Sequence, residues 1–275
     1  MRLLLLALLA CTGTSKDDTA EPADADTDTD SDTDADTDSD TDTDTDPRSG
    51  VISGTVVQWD GAPAVDVSVE ICSIVCRYAR TDANGNFEQS GLEAHRFKID
   101  AIGATYSVPG FGNSLVGVEL APGEVFAMTP AMVLPPIEGP IAVPETAGSD
   151  TYDLGQVSLT FAANTLDFVF GAVDNDTGTF NLSAGVLEGD AILSHWEVTP
   201  AFLVNFLPWI TAPSALMDVE VTGLTSPDGT YDVYALQEYG QLEGPLGTAT
   251  VTGGTATAAG IQPTVWTWLL FVPAE

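Results

Sequence analysis

Residues 80–92 read RTDANGNFEQSGL, and this short stretch decides the fold. Asn84-Gly85 offers the positive backbone angles that a tight hairpin demands. Gly85 occupies a corner that a β-carbon would obstruct, and Phe87 and Leu92 then point into a core. Upstream, SGTVVQW (53–59) reads as a strand, DGAP (60–63) as a turn, AVDVSVEIC (64–72) as an alternating strand and CRYART (76–81) as its hairpin partner. Downstream, RFKIDAIG (96–103) alternates Phe97, Ile99 and Ala101 with charged residues. Short runs of Val, Ile, Thr and aromatics are punctuated by Gly, Pro, Asn and Asp, and nothing repeats at helical spacing. The chain is therefore expected to be all-β.

The order GTVVQWDGAPAVDVSVEI, then RTDANGNFEQSGLEAHRFKIDAIGATY, then APGEVFAMTPAMVL resembles the carboxypeptidase regulatory-like domain. Gly54-Thr55-Val56, Gly61-Ala62-Pro63, Thr81 to Phe87 and Gly91-Leu92 match that family's pattern, over about residues 50–135. His95 and Phe97 stand where the family has Gly and Tyr, so that turn is expected to be built differently. The resemblance implies a seven-stranded sandwich similar to transthyretin. It also implies a module without chemistry of its own, carried beside a zinc-dependent catalytic domain. That domain's His-x-x-Glu pair has no counterpart, since neither His95 nor His195 has a Glu at that spacing.

Cys72 and Cys76 bracket Ser73-Ile74-Val75 at the tip of the first hairpin, a spacing that reads as a disulfide in an oxidising compartment. A metal half-site would need a second cysteine pair or more histidines. A redox-active pair would prefer a two-residue spacing at a helix start.

LPPIEGPIAVPE (134–145) is stiff with prolines and suggests a linker over 136–148, separating a first sandwich at 49–135 from a second at 149–275. Eight strand-like segments in the second half suggest a β-sandwich of unknown role: QVSLTFAA, LDFVFGAV, GTFNLS, GDAILSHWEV, MDVEVTGL, TYDVYALQEY, GTATVTGG and PTVWTWLLFV. Residues 229–261 resemble the tail of modules that follow regulatory-like domains in lipoproteins of predatory and gliding bacteria. Asp174 and Asp176, in DNDTGTF, are weak calcium candidates on a loop whose residues are also in ordinary turn order. Ser194, His195 and Glu197 lie close together in LSHWEV, but on a strand Ser194 and His195 face opposite ways, so no catalytic residue is expected there. Trp196, Trp209, Trp266 and Trp268 hint at sugar stacking, although core packing is the commoner use of such residues. The Asn-x-Ser/Thr patterns at Asn175 and Asn181 read as chance in an exported bacterial protein.

The amino terminus supplies the compartment. Arg2 precedes an eight-residue apolar run, Leu3 to Ala10, which is far shorter than the about 20 residues a spanning helix needs. Residues 1–10 read as a signal peptide, and LLAC resembles the lipobox in which the cysteine, here Cys11, is acylated. Thr12 follows in place of a retention aspartate, so the resemblance implies the bacterial outer membrane, facing the periplasm or the cell surface. Residues 11–48 contain an Asp/Thr alternation, 24–46, expected to be a disordered acidic tether.

Net charge is −34, and residues 47–275 alone hold 26 acids against Arg48, Arg77, Arg80, Arg96 and Lys98. That balance argues against nucleic acid and against docking on anionic lipid. AFLVNFLPWI (201–210) and VWTWLLFV (265–272) are apolar but too short to span a bilayer. The composite expectation is a non-enzymatic, lipid-anchored envelope protein with a structural, adhesive or partner-binding role and no cofactor. Its partner would be another envelope protein or a glycan. The alternatives are a carbohydrate- or calcium-dependent binding module and, further off, a hydrolase of unrecognised type.

Overall fold

The structure is a computed structural model. It describes residues 48–103, 110–144, 150–161, 166–168, 179–189, 192, 196–207, 211–213, 216–237, 240–264 and 268–275, without the side chains of 166–168, 179–180 and 211–213. Cys11, Asp174, Asp176, Ser194, His195, Trp209 and Trp266 lie outside the described residues.

The first half runs β1 (Gly50–Gln58), β2 (Ser68–Cys72), β3 (Cys76–Arg80), β4 (Asn86–Leu92), β5 (His95–Ile102), β6 (Ser114–Leu120), β7 (Val125–Ala127) and β8 (Met132–Leu134). β4 pairs with β1, whose other side takes β7 and then β8 in parallel, while β3-β2-β5-β6 forms the facing sheet. The turn at Asn84-Gly85 is built as expected. The Asp82 carboxylate accepts from the Asn84 and Asn86 amides, each at 2.8 Å, and those bonds hold its pKa below the usual carboxylate range. Gly85 has φ +79°, and a Cβ there would lie 2.4 Å from the Val56 carbonyl oxygen. Phe87 and Leu92 are buried between the two sheets with Ile52, Val69, Ile71 and Ile99.

The second half runs β9 (Glu138–Pro144), β10 (Thr151–Leu154), β11 (Val157–Phe161), β12 (Leu166–Phe168), β13 (Thr179–Glu188), β14 (Phe202–Leu207), β15 (Thr211–Pro213), β16 (Met217–Val221), β17 (Gly229–Leu236), β18 (Leu242–Thr252), β19 (Thr255–Ile261) and β20 (Trp268–Pro273). Ten of these form one sheet, β10-β11-β16-β19-β18-β17-β20-β14-β13-β9, and β12 pairs with β15 apart from it. All ten strands send side chains into a single core, from Val143 and Leu154 at the two ends to Phe202, Val233 and Phe271 in the middle. The end strands β9 and β10 come back alongside each other. The two layers of this sandwich are thus one continuous sheet curled over its own interior.

Two local expectations are corrected. Residues 138–144, read as part of a linker, are strand β9, paired to β13 from Thr179↔Pro144 to Ala184↔Glu138. Pro140 and Pro144 are tolerated because β9 ends the sheet, and Pro140 sits where the register slips. LSHWEV is not a strand where it is described: residues 196–198 form bends, and the ladder resumes at β14.

The two halves also share a boundary core. Residues 44–275 form one compact unit. Leu187, Leu203, Leu236, Trp268 and Leu270, from the outward side of the ten-stranded sheet, join the hydrophobic cluster of the first sandwich. Among the described residues no helix is long and apolar enough to cross a membrane.

Candidate functional site

Three features of the first sandwich and its boundary bear on function. The first is the β2–β3 hairpin. Cys72 and Cys76 are directly opposed, with Cα atoms 4.0 Å apart, and form a disulfide. The sulfurs lie near the Glu70 carboxylate, but being bonded to each other they offer no thiolate to a metal. The loop they close presents Ile74 and Val75 at 85% and 68% exposure, and Tyr78 follows at 64%. β3 ends its sheet, and among the described residues only β2 pairs with it.

The second feature lies on the same face of that sheet. Glu70 is opposite both Tyr78 and Asp100, and Cys72 is opposite Lys98, so all five side chains share one surface. The Glu70 carboxylate accepts from the Tyr78 hydroxyl at 2.9 Å and from Lys98 Nζ at 3.2 Å. The phenol is held above its ordinary pKa chiefly by that hydrogen bond. Lys98 and Asp100 are only 3% and 1% exposed. Burial pushes the Asp100 carboxyl up to about 7, against the pull of the Lys98 charge, and Glu70 pushes the same way as burial. Asp100 Oδ1 has no hydrogen-bond partner among the described residues.

The cover over this charged face comes from the second half. Leu115, opposite Asp100 in the ladder, clusters with the leucines of β14, β17 and β20. Gly240 presses onto Gly117, which stands opposite Lys98; a Cβ on Gly240 would lie 2.3 Å from the Gly117 nitrogen.

The third feature is a cleft of about 420 Å³ where that contact opens to the surface. Arg96 and Glu119, directly opposed across β5 and β6, form one wall. Trp196 and Glu197 form another, and Gln241 with Leu242 a third. Trp196 is half-buried, leaning on the buried Trp268 with ring centroids 5.7 Å apart. Beside Gln241, the Gly240 amide donates to the Gln237 carbonyl and the Gln237 amide to the Gln241 carbonyl.

Of the residues singled out from the sequence, the structure joins Cys72 to Cys76, sets Trp196 and Glu197 in the cleft and buries Trp268 beneath them. Arg96, Glu119 and Gln241 were not foreseen, nor was the burial of Lys98 and Asp100. RFKIDAI alternates as a half-wet strand does, and only a second covering layer makes its charged side dry.

No known sequence family matches the chain, and no curated protein does. Among solved structures, similarity extends to the TIE protein of Bacillus anthracis at 10% identity and a TM-score of 0.27, covering 82% of this chain and 48% of that one. The major pilin subunit BcpA of Bacillus cereus is 11% identical with a TM-score of 0.25, covering 81% of this chain and 57% of that one. A DUF3823 family protein from Parabacteroides merdae is 9% identical with a TM-score of 0.25, covering 79% and 97%. This chain thus spans about half the length of the first two. None of the three bears on its activity.

Proposed function

We propose that this is a non-enzymatic cell-envelope protein, anchored by acylation of Cys11, whose compact β body is held out on residues 11–48 to engage a partner. Residues 49–135 serve in this reading as a carboxypeptidase regulatory-like module. The role is structural, adhesive or partner-binding, and the protein belongs to the outer membrane. The observation that carries the partner-binding part is the clamped hairpin tip. A loop ordinarily hides adjacent aliphatics, yet Ile74 and Val75 stand in water on a tip closed by a disulfide. A closed loop has already lost the freedom that a partner would otherwise have to freeze, which is how a short apolar tip becomes a useful contact.

Two experiments test the proposal separately. Cys11→Ser should move the protein out of the membrane fraction, and retention there would refute the anchor. A photo-crosslinking side chain at position 74 in intact cells should give one discrete adduct that is lost in the Cys72→Ser/Cys76→Ser variant. A cross-linking pattern no different from that of the same group at Asp218, on the far sheet, would refute the docking role.

A further inference from the structure

We propose that the cleft around Trp196 binds a short neutral oligosaccharide. This goes beyond the partner contact proposed above, which the hairpin tip carries. Its volume of about 420 Å³ lies within the about 300–1,000 Å³ typical of small-ligand sites.

The chemistry of its walls narrows the ligand. Among the described residues the large apolar side chains are Trp196 and Leu242, too little for a lipid or another wholly apolar molecule. Trp196 Nε1 is buried and has no hydrogen-bond partner among the described residues, so the indole meets a ligand through its carbon surface. Among the described residues the polar side chains are one guanidinium, from Arg96, two carboxylates, from Glu119 and Glu197, and one carboxamide, from Gln241.

Two carboxylates against one cation repel phosphates and uronates. A sugar ring answers all of these groups at once. Its C–H face stacks on an aromatic carbon surface, and its neighbouring hydroxyls donate to carboxylates while accepting from guanidinium and amide N–H groups.

The walls are also preorganised. Trp196 is backed by Trp268, which is itself fixed in the boundary core, and Gln241 follows Gly240, which packs on Gly117 and is hydrogen-bonded to Gln237. Rigid walls lose little freedom on binding, and planar polar side chains arrayed beside an aromatic give a sugar its orientation.

The experiment titrates the full chain with maltohexaose, cellohexaose and chitohexaose, following heat and Trp fluorescence, with polygalacturonate as the anionic control. At least one neutral oligomer should bind saturably and the polyanion should not. Gln241→Ala should weaken binding about tenfold, the effect of one lost hydrogen bond to a bound polar ligand. Trp196→Ala should abolish it. Because Trp196 also packs on Trp268, Glu197→Gln provides a second probe at an exposed position and should weaken binding without changing the melting temperature. Absence of binding by all three neutral oligomers, binding indifferent to Gln241 and Glu197, or preference for the polyanion would each overturn the assignment. Membrane fractionation of Cys11→Ser is unaffected by any of these results, so the anchor and the cleft fail independently.

Discussion

One half of the ten-stranded sheet is dry on both sides, and the other half is wet on one. In β14 and β20 every residue from Phe202 to Leu207 and from Trp268 to Phe271 is buried. Phe202, Val204, Phe206, Leu269 and Phe271 face the interior of the curled sheet, while Leu203, Trp268 and Leu270 face the first sandwich. In β16 and β19 burial alternates: Met217, Val219 and Val221 face in, and Asp218 and Glu220 face water. The outward residues Thr151, Ser158, Thr160, Asp218, Glu220 and Thr257 line an open groove of hydroxyls and carboxylates. The same sheet thus carries both texts, an uninterrupted apolar run where a second layer covers it and an alternating run where none does. The difference identifies the contact between the halves as part of the folded core, and that claim can be broken in order of expected effect.

The largest effect falls at the dry side. Trp268→Ala removes a ring that touches Trp196 and fills the boundary cluster, and loss of about 3–5 kcal/mol follows from emptying so large a buried site. Denaturant unfolding should show a single transition displaced as a whole. If instead two transitions appear and only one moves, the halves are independent domains and the comparison fails.

Next is the charged patch under the cover. Lys98→Met leaves Glu70 and Asp100 without their cation in a dry setting, for a loss of about 3–5 kcal/mol. Adding Glu70→Gln should recover part of it, because the stranded charge is then gone. Full additivity in that double-mutant cycle would mean that the pair is wet in solution.

Asp100 sharpens the point through pH. Its folded pKa is raised to about 7, above the unfolded value, so the native state holds a proton that the unfolded chain has released between about pH 4 and 7. The stability it contributes is complete below the unfolded pKa and is lost as pH rises through about 7. Asp100→Asn should remove this slope, so that the wild type minus variant difference falls from pH 4 to 7 and is flat above. A difference independent of pH would place Asp100 in water. Removing the disulfide with Cys72→Ser/Cys76→Ser comes next, at about 2 kcal/mol for so short a loop. Denaturant unfolding of the double variant beside the wild type should read that loss directly.

Much of this was legible. Asn84-Gly85 and Phe87 announced the first sandwich because turn chemistry is local: the residues that need positive φ and those that need a core lie within one hairpin. The disulfide was legible for the same reason. The apolar runs at 201–210 and 265–272 were visible but their meaning was not, because a run too short for a membrane says that both faces are covered without naming the cover. β9 was missed because Pro140 and Pro144 read as a linker unless the strand is known to end its sheet. The cleft was illegible beyond Trp196 and Glu197. Arg96 and Glu119 come from the first sandwich and Gln241 from a turn more than a hundred residues later, and only the packing of one half on the other brings them together.

The smallest effect is the most informative control. Thr257 lies on the wet face of β19, opposite Glu220 and Thr250, where no second layer of described residues covers it. Thr257→Val keeps the β-branched shape that suits a strand and removes only an exposed hydroxyl, so stability should change by no more than about 0.5 kcal/mol. Oligosaccharide binding should not change at all if the ligand sits at Trp196. A substantial loss of stability would mean that the groove is covered in solution, by a second copy or by a partner. The two halves of the sheet would then be alike, and the alternation in MDVEV and TATAAGI would have to be explained by something other than water.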